Sequence, residues 1–299
     1  MSGATNAQTM PMSERWWLCA RPRTLTASVV PVVVALAIAP PRSLPDVGIA
    51  LCTLLGALLL QVAVNFANDA YDAERGVDTA ERLGPPRAVQ SGLLTSSQVK
   101  RGFFVVLAGA ALCGVPLLVR GGVPILLVGL ASMVSAWAYA GGPRPLASHG
   151  LGDVFVFAFF GVVPVCGTVW LQRLTVDAAT VAASVPIGLF AVGILVVNNL
   201  RDIATDTRAG KRTLAVRLGE AGTRAQYNTC IAVALAFPLL LTPLAGVGAL
   251  AALLAAPLAL RTVREVRERS GAALNESLAA TARLQAVYGA LLAVGIVLS

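Results

Sequence analysis

Long apolar segments follow one another along the chain and are separated by polar stretches. A helix needs about 20 apolar residues to cross the hydrocarbon core of a bilayer, and the segments approach or exceed this length. The pattern predicts an all-α polytopic membrane protein with about nine transmembrane helices, forming a single domain over residues 1–299. The predicted spans are residues 24–40, 46–72, 102–119, 122–140, 152–172, 178–200, 226–241, 243–261 and 277–298.

Basic residues are distributed unevenly between the two sides that nine spans would define. The side with the N-terminus carries all but four of the 23 lysine and arginine residues, and such an excess is typical of the cytoplasmic side. We therefore expect a multi-pass protein of the cell inner (plasma) membrane. Residues 1–15 are expected to be flexible, and the charged connections 73–101 and 201–225 are expected to be cytoplasmic cap loops with a binding function.

The composition excludes a soluble fold. Hydrophobic residues make up 57% of the chain and charged residues 13%, with a mean hydropathy of +0.76, whereas soluble domains have about 25% charged residues. The net charge of +8 does not indicate nucleic-acid binding, because the basic residues lie between apolar runs. The five cysteines have no metal-binding spacing and there is one histidine, so neither a zinc site nor histidine-based catalysis is predicted.

Two polar stripes interrupt the apolar pattern, one at the end of the second predicted span and one at the end of the sixth. Within each stripe the residues are mostly three or four positions apart, so they face one side of a helix. The first stripe consists of Gln61, Asn65, Asn68, Asp69 and Asp72, and the second consists of Asn198, Asn199, Asp202 and Asp206.

Carboxylates at membrane depth are costly and usually functional. Two facing clusters would repel each other unless a cation lay between them, and oxygen ligands shared with phosphate are typical of Mg²⁺. We therefore predict a Mg²⁺–diphosphate site. The nearby cations that would meet the same diphosphate are Arg201, Arg208, Lys211 and Arg212. The alternative for either stripe alone is a solvated helix end, whose polar side chains only face water.

The stripes resemble the two aspartate-rich motifs of the UbiA superfamily of intramembrane aromatic prenyltransferases. Residues 68–72 and the later Asp78 are similar to its NDxxD motif with a further aspartate, and Asp202 and Asp206 are similar to its DxxxD motif. The resemblance, which runs from about residue 21 to residue 222, implies a helical bundle around a central cavity. It also implies Mg²⁺ as the cofactor, with the ligands Asn68, Asp69, Asp72, Asp78, Asp202 and Asp206.

Four further stretches resemble the branch of this superfamily that prenylates 1,4-dihydroxy-2-naphthoate. They are residues 68–94, 139–146, 150–161 and 198–219. The branch implies transfer of a polyprenyl chain from polyprenyl diphosphate to this naphthoate with loss of CO₂, which gives demethylmenaquinone and diphosphate in menaquinone biosynthesis. Both substrates and the lipid bilayer are then the expected partners, and neither nucleic acid nor a protein partner is implied.

The resemblance implies roles for residues on the diphosphate side. Arg87, Arg144 and Lys211 are the predicted diphosphate contacts, and the alternative is that they are only topology-determining charges of the cytoplasmic side. Asn65 and Asn199 are further predicted substrate-binding residues. The aspartates of both motifs, Asp69, Asp72, Asp202 and Asp206, are the predicted catalytic carboxylates.

Three other residues are candidates near the aromatic acceptor. Tyr139 faces the allylic carbocation with its π cloud or lies at the membrane interface. Arg21 contacts the acceptor carboxylate or anchors the first helix. Asp153 is a base near the acceptor or an N-cap of a helix.

Other functions remain open at this point. A member of the same superfamily could use 4-hydroxybenzoate or homogentisate as its acceptor. A membrane transporter is also possible, because intramembrane Asp and Asn residues can mark an ion path. The predicted position of the carboxylates at helix ends, rather than at mid-membrane, argues against a transporter.

Overall fold

A computed structural model of the chain describes residues 10–76, 82–142 and 145–299. Every regular element in these ranges is helical, which confirms the all-α prediction. The main helices are α1 (Met12–Ala20), α2 (Thr26–Ile38), α3 (Leu44–Glu74), α4 (Ser96–Ala138), α5 (Gly152–Arg173), α6 (Ala178–Arg208), α7 (Leu214–Ala245), α8 (Val247–Glu268) and α9 (Leu274–Val297).

Most of these helices can cross a membrane. The seven helices from α3 to α9 are long and apolar enough, and α1 with α2 forms a further candidate that is bent by 51°. Helix α4 has 43 residues, a length of about 64 Å at 1.5 Å per residue, which is twice the thickness of the hydrocarbon core. Its backbone breaks at Gly122, where φ is 65°.

The contacts of α4 indicate that it is a helical hairpin. Arg120, beside the break, lies with its Nη2 3.8 Å from Asp46 Oδ1 at the start of α3. Both ends of α4 contact the other end of α3, through Lys100 Nζ to Glu74 Oε1 (2.6 Å) and Trp137 Nε1 to Tyr71 Oη (3.2 Å). The two arms of α4 therefore run antiparallel and cross the membrane separately. Counted with the bent pair α1–α2, with α3 and with α5–α9, the described residues provide nine candidate crossings, in agreement with the hydropathy pattern.

Helix α6 occupies the centre of the bundle. It packs against α2, α5, α7 and α9, and two thirds of its apolar stretch (67%) is buried inside the protein. By contrast, 11% of the apolar stretch of α4 is buried, so α4 lies at the periphery. The second polar stripe is thus carried by the most enclosed helix.

Side-chain caps fix where several helices begin. Thr95 and Gln98 form a capping box at the start of α4, and Asp177 Oδ1 accepts a hydrogen bond from Thr180 N at the start of α6 (2.8 Å). Thr213 Oγ1 accepts a hydrogen bond from Val216 N at the start of α7. These caps satisfy backbone N–H groups that have no partner within the helix.

The prediction of a long cap loop over residues 201–225 is wrong. Helix α6 continues to Arg208, and residues 209–213 connect it to α7. Helix α7 begins with a short segment at Leu214 and its backbone breaks at Gly219, where φ is 68°. The charged residues after residue 200 keep the helical geometry beyond the apolar span, and the Thr213 cap starts the next helix early. The connection between α3 and α4 follows Glu74 and precedes Ser96, and its described part is residues 75–76 and 82–95.

The expectation that residues 1–15 are flexible is wrong for residues 12–15. These residues form the first turn of α1. Arg15 Nη1 donates to the carbonyl oxygen of Leu93 (3.2 Å), and Trp16 packs against Phe66 with ring centroids 5.3 Å apart. Long-range contacts therefore order this segment against α3 and the connection that follows it.

Candidate active site

A cavity of about 610 Å³ lies among the helices that carry the two polar stripes. One end is polar, where α3 and α6 end, and the remainder is mostly apolar and lies between α2, the arms of α4 and α5. Eleven residues that the sequence predicts for the site line this cavity: Arg21, Asn65, Asn68, Asp72, Arg87, Tyr139, Asp153, Asn199, Asp202, Asp206 and Lys211.

Lys211 joins the two carboxylate motifs. Its Nζ lies 3.6 Å from Asp72 Oδ2 and 3.9 Å from Asp206 Oδ1. All three side chains are nearly buried, with exposed fractions of 14% or less. The structure therefore brings both polar stripes to one end of one cavity. Arg208 and Arg212 are exposed and do not line this cavity, contrary to our expectation for them.

Asp72 is surrounded by cations. Arg75 Nη2 lies 2.9 Å and Arg87 Nη2 lies 3.5 Å from its oxygens, in addition to the Lys211 contact. Our sequence analysis missed Arg75, although its position three residues after Asp72 places both side chains on the same face of α3. Three positive charges around one carboxylate make this end of the cavity suitable for a polyanion.

Arg201 does not line the cavity, contrary to the expectation that it meets the diphosphate. Its side chain is 1% exposed and lies against both carboxylate oxygens of Asp202, at 2.8 and 2.5 Å. It also donates to Asn198 Oδ1 (2.9 Å) and Asn275 Oδ1 (2.7 Å). Arg201 thus contacts the second motif on the side away from the cavity, while Asn198 and Asp202 face the cavity.

Asp69, a predicted Mg²⁺ ligand, is turned away from the cavity and is fully buried. Its Oδ2 accepts a hydrogen bond from Ala88 N and its Oδ1 accepts one from Val89 N, both at 2.9 Å. Cys19 Sγ lies 3.6 Å from Oδ2. In this geometry both oxygens accept hydrogen bonds from backbone N–H groups of the segment before α4, and the carboxylate does not face the cavity with the other predicted ligands. Two other predicted site residues, Asp78 and Arg144, lie outside the described residues.

Tyr139 and Asp153 lie on the wall of the cavity near the motifs. Tyr139 is one residue beyond α4 and is partly buried. Asp153 is not an N-cap, because Leu151 occupies that position of α5. Gln226, which our sequence analysis missed, donates from Nε2 to Asp153 Oδ1 (3.2 Å).

Asn65 fixes the segment that carries Arg21. Its Nδ2 donates to the carbonyl oxygen of Ala20 (2.8 Å) and to Thr24 Oγ1 (3.0 Å), and Gln61 Nε2 also donates to Thr24 Oγ1 (3.1 Å). Arg21 has a left-handed backbone with φ of 52°, which is uncommon for a residue with a side chain. The amides of α3 therefore hold a sharp bend that brings Arg21 to the cavity wall.

The apolar part of the cavity has an aromatic wall on α5. This helix contains a π-helical segment, Ala158–Val162, and such segments redirect side chains and are frequent at functional sites. Its Gly161 packs so closely on α6 that an added Cβ would lie 2.5 Å from Gly188 Cα. Phe155 and Phe159, stacked with centroids 5.8 Å apart, line the cavity.

The residues present fit Mg²⁺ through their chemistry. Within the described ranges, no three His, Cys, Asp or Glu side chains come close enough to hold a metal ion by themselves. The cavity nevertheless presents carboxylate and amide oxygens, and Mg²⁺ commonly binds through one or two carboxylates together with substrate phosphates and water. These oxygens are therefore suited to bind a metal ion whose remaining ligands come from a diphosphate.

Curated relatives cover most of the chain. A protein from Mycobacterium tuberculosis named 1,4-dihydroxy-2-naphthoate octaprenyltransferase is 43% identical over 260 residues, which cover 86% of this chain and 87% of the relative. A protein of the same name from Escherichia coli is 35% identical over 98% of both chains.

Solved structures show the same fold. An apo UbiA homologue from Aeropyrum pernix matches with a TM-score of 0.69 at 17% identity, over 91% of this chain and 97% of that chain. A UbiA homologue from Archaeoglobus fulgidus bound to GPP and Mg²⁺ matches with a TM-score of 0.66 at 16% identity, over 95% of this chain and all of the other. The UbiA prenyltransferase family matches residues 28–285. The chain therefore belongs to the UbiA prenyltransferase family.

Proposed function

We propose that this membrane enzyme transfers a polyprenyl chain from polyprenyl diphosphate to 1,4-dihydroxy-2-naphthoate with decarboxylation, giving the quinol form of demethylmenaquinone, CO₂ and diphosphate. The relatives that carry the naphthoate name in bacteria are up to 43% identical to this chain. The observation that carries the chemical part of the proposal is the single cavity with two carboxylate motifs and several cations at one end and an apolar remainder. Such a cavity suits a substrate with a charged head and a long hydrocarbon tail.

The diphosphate group is proposed to bind at the polar end. Lys211 and Arg87 contact it directly, and Asn68, Asn199, Asp72, Asp202 and Asp206 are the residues that would hold Mg²⁺. When bound, Mg²⁺ supplies positive charge to the phosphate oxygens on which negative charge develops. Lys211 and Arg87 act on the same oxygens from positions beside nearly buried carboxylates.

The bond changes follow from the positions of the substrate groups. The allylic C–O bond breaks and its electron pair leaves with the diphosphate, so the allylic carbon becomes cationic. Tyr139, at the cavity wall, presents its π electrons to that carbon. The ring carbon that bears the carboxylate forms the new C–C bond, and the electron pair of the bond to the carboxylate returns to the ring as CO₂ leaves.

The acceptor is proposed to lie between Arg21 and Asp153. The Arg21 guanidinium binds the acceptor carboxylate. Asp153, held by Gln226, accepts a proton from a ring hydroxyl as the C–C bond forms and returns it to the same oxygen as CO₂ leaves. Substituting Arg21 by Gln should raise KM for the naphthoate about ten- to hundredfold, because a charge-assisted hydrogen bond is lost. KM for the polyprenyl diphosphate should stay nearly unchanged, and the opposite pattern would place Arg21 at the diphosphate.

The acceptor is tested by incubating membranes that contain the protein with labelled polyprenyl diphosphate, Mg²⁺ and one candidate acceptor at a time. We expect labelled product with 1,4-dihydroxy-2-naphthoate and loss of the acceptor carboxylate as CO₂. Membranes with the Asp202→Asn variant serve as the control. Product from 4-hydroxybenzoate or homogentisate, with none from the naphthoate, would refute the proposed acceptor, and no product from any acceptor would refute the proposed reaction.

We further propose that the protein is one transmembrane domain of the plasma membrane whose polar cavity end faces the cytoplasm. The excess of basic residues on that side supports this orientation. In a cysteine-free background, single cysteines at the exposed positions Ser97 and Thr207 should react only with cytoplasmic reagents, and a cysteine at Thr175 only with external reagents. Reaction of the first two positions from outside would refute the orientation.

A further inference from the structure

Asn275, the second residue of α9, joins two parts of the polar cavity end. Its Oδ1 accepts a hydrogen bond from Arg201 Nη1 (2.7 Å), and its Nδ2 donates to the carbonyl oxygen of Leu83 (2.8 Å). Guanidinium nitrogens only donate and a backbone carbonyl only accepts, so these partners fix the orientation of the amide. Asn275 therefore contacts α6 with one atom and the connection between α3 and α4 with the other.

Arg201 transmits this contact to the second carboxylate motif. Its buried guanidinium donates to both oxygens of Asp202 and to Asn198 Oδ1. Asp202 and Asn198 line the cavity, whereas Arg201 and Asn275 do not. A buried charge is held in place by the full set of its partners, and losing one partner disturbs the rest of the network. The position of the Arg201 guanidinium thus sets the direction of the Asp202 carboxylate.

The connection before α4 packs directly on the same guanidinium. A Cβ added to Gly84 would lie 3.0 Å from Arg201 Nη2. The same connection carries Arg87, which reaches Asp72 in the first motif. Arg201 and Asn275 therefore lie where the first motif, its connection and the second motif meet.

We propose that Asn275 is a positioning residue for the diphosphate side of the site, acting through Arg201 on Asp202. This inference rests on the proposed function of the cavity. It assigns a role to α9, a helix whose sequence resembles none of the family motifs. Its Asn275 side chain completes the polar cavity end without touching the substrate.

Two substitutions separate the contacts of Asn275. Asn275→Leu removes the contacts to both Arg201 and Leu83 at similar side-chain size. Asn275→Asp keeps an acceptor oxygen for Arg201 but removes the donor for Leu83. The matched control is Thr281→Val on the same helix, which removes the buried hydrogen bond between Thr281 Oγ1 and Tyr227 Oη (2.9 Å) away from the cavity.

The test uses the purified full chain and measures Mn²⁺ binding by electron paramagnetic resonance in the presence of inorganic diphosphate, followed by steady-state kinetics. Asn275→Leu should weaken Mn²⁺ binding about tenfold and raise KM for the polyprenyl diphosphate about tenfold, the range expected for losing one hydrogen bond to a charged group. KM for the naphthoate should not change. Asn275→Asp and Thr281→Val should bind Mn²⁺ like the wild type.

Unchanged Mn²⁺ binding in Asn275→Leu would overturn the inference. Equal weakening in Asn275→Leu and Asn275→Asp would also overturn it, because the contact to Leu83 rather than to Arg201 would then matter. If Asn275→Leu does not fold, Asn275→Ser, whose shorter side chain cannot span both partners, carries the same expectation. A wild-type protein that binds no Mn²⁺ with diphosphate would overturn the proposed function and the inference together.

Discussion

Replacing Asp69 by Asn tests whether this carboxylate anchors the structure or binds substrate. Its two oxygens accept the backbone N–H groups of Ala88 and Val89 at 2.9 Å in a fully buried position. The substitution turns one acceptor into an NH₂ donor that faces an N–H group. A hydrogen bond to a charged group contributes about 1.5–3 kcal/mol, and an unpaired buried N–H costs about 1–3 kcal/mol. We expect the free energy of unfolding to fall by about 3 kcal/mol.

Thermal unfolding and turnover measured together distinguish the two roles. At roughly 2–4 °C per kcal/mol for a chain of this size, the Tm of Asp69→Asn should fall by roughly 6–12 °C. Well below that temperature its kcat should stay within about tenfold of the wild type, since a remote contact contributes less than one charge-assisted bond. The comparison variant, Asp72→Asn, should lose at least about 100-fold in kcat, which corresponds to about 2.7 kcal/mol.

The reasoning on Asp69 fails if the two effects are reversed. An Asp69→Asn variant with an unchanged Tm, no turnover and no Mn²⁺ binding would identify Asp69 as a metal ligand, as the sequence motif alone predicts. In that case the hydrogen bonds from Ala88 N and Val89 N to Asp69 would not be present in the active enzyme.

The structure and the proposed function predict the outcomes of three other perturbations. Exhaustive chelation with EDTA should abolish turnover and added Mg²⁺ should restore it; full activity after chelation would refute the metal requirement. Lys211→Met should raise KM for the polyprenyl diphosphate about ten- to hundredfold, and an unchanged KM would exclude a diphosphate contact. Gly295→Ala should destabilise the protein by about 1–3 kcal/mol, because its new Cβ would overlap the carbonyl oxygen of Gly248. Gly48→Ala, with no atom within 4 Å of the new Cβ, is the matched control in thermal unfolding and should not destabilise.

Most of the fold can be predicted from the sequence because each membrane crossing is recognisable from its own apolar residues. A run of apolar residues long enough to span the bilayer is visible without knowledge of its neighbours. The break at Gly122 inside one long helix could also be predicted, since two spans' worth of apolar residues cannot be one crossing. The structure of residues 12–20 could not, because contacts of Arg15 and Trp16 with distant residues order that helix.

The site was predictable in its composition but not in its geometry. Helical spacing places Asn68 and Asp72 about 40° apart, whereas Asp69 lies about 100° from Asn68 at the edge of the stripe, at 3.6 residues per turn. The packing of the connection before α4 on α3 decides which edge of this polar stripe faces the cavity. The spacing of the polar residues along the sequence does not reveal that packing. The same is true of Asn275, a single polar residue with no motif around it. Its role depends on the burial of Arg201.

Lys211 between Asp72 and Asp206 changes the reason for expecting a metal ion. Repulsion between two carboxylate clusters is the argument that the sequence supports. In the structure, Lys211, Arg75 and Arg87 already compensate Asp72. The requirement for Mg²⁺ in the proposed reaction therefore comes from the charge of the diphosphate rather than from repulsion within the protein.

Charge at the polar cavity end also affects how each catalytic cycle would finish. In the described part of the chain, the ion pairs of the two motifs join four cationic side chains to three carboxylates: Arg75, Arg87, Arg201 and Lys211 with Asp72, Asp202 and Asp206. Inorganic diphosphate has one more ionisable oxygen than its prenyl ester, so a cation-rich end retains the leaving group more strongly than the substrate. Release of diphosphate from the cavity, rather than bond cleavage, would then limit repeated turnover. A rapid first turnover followed by a slower steady state would be its kinetic signature.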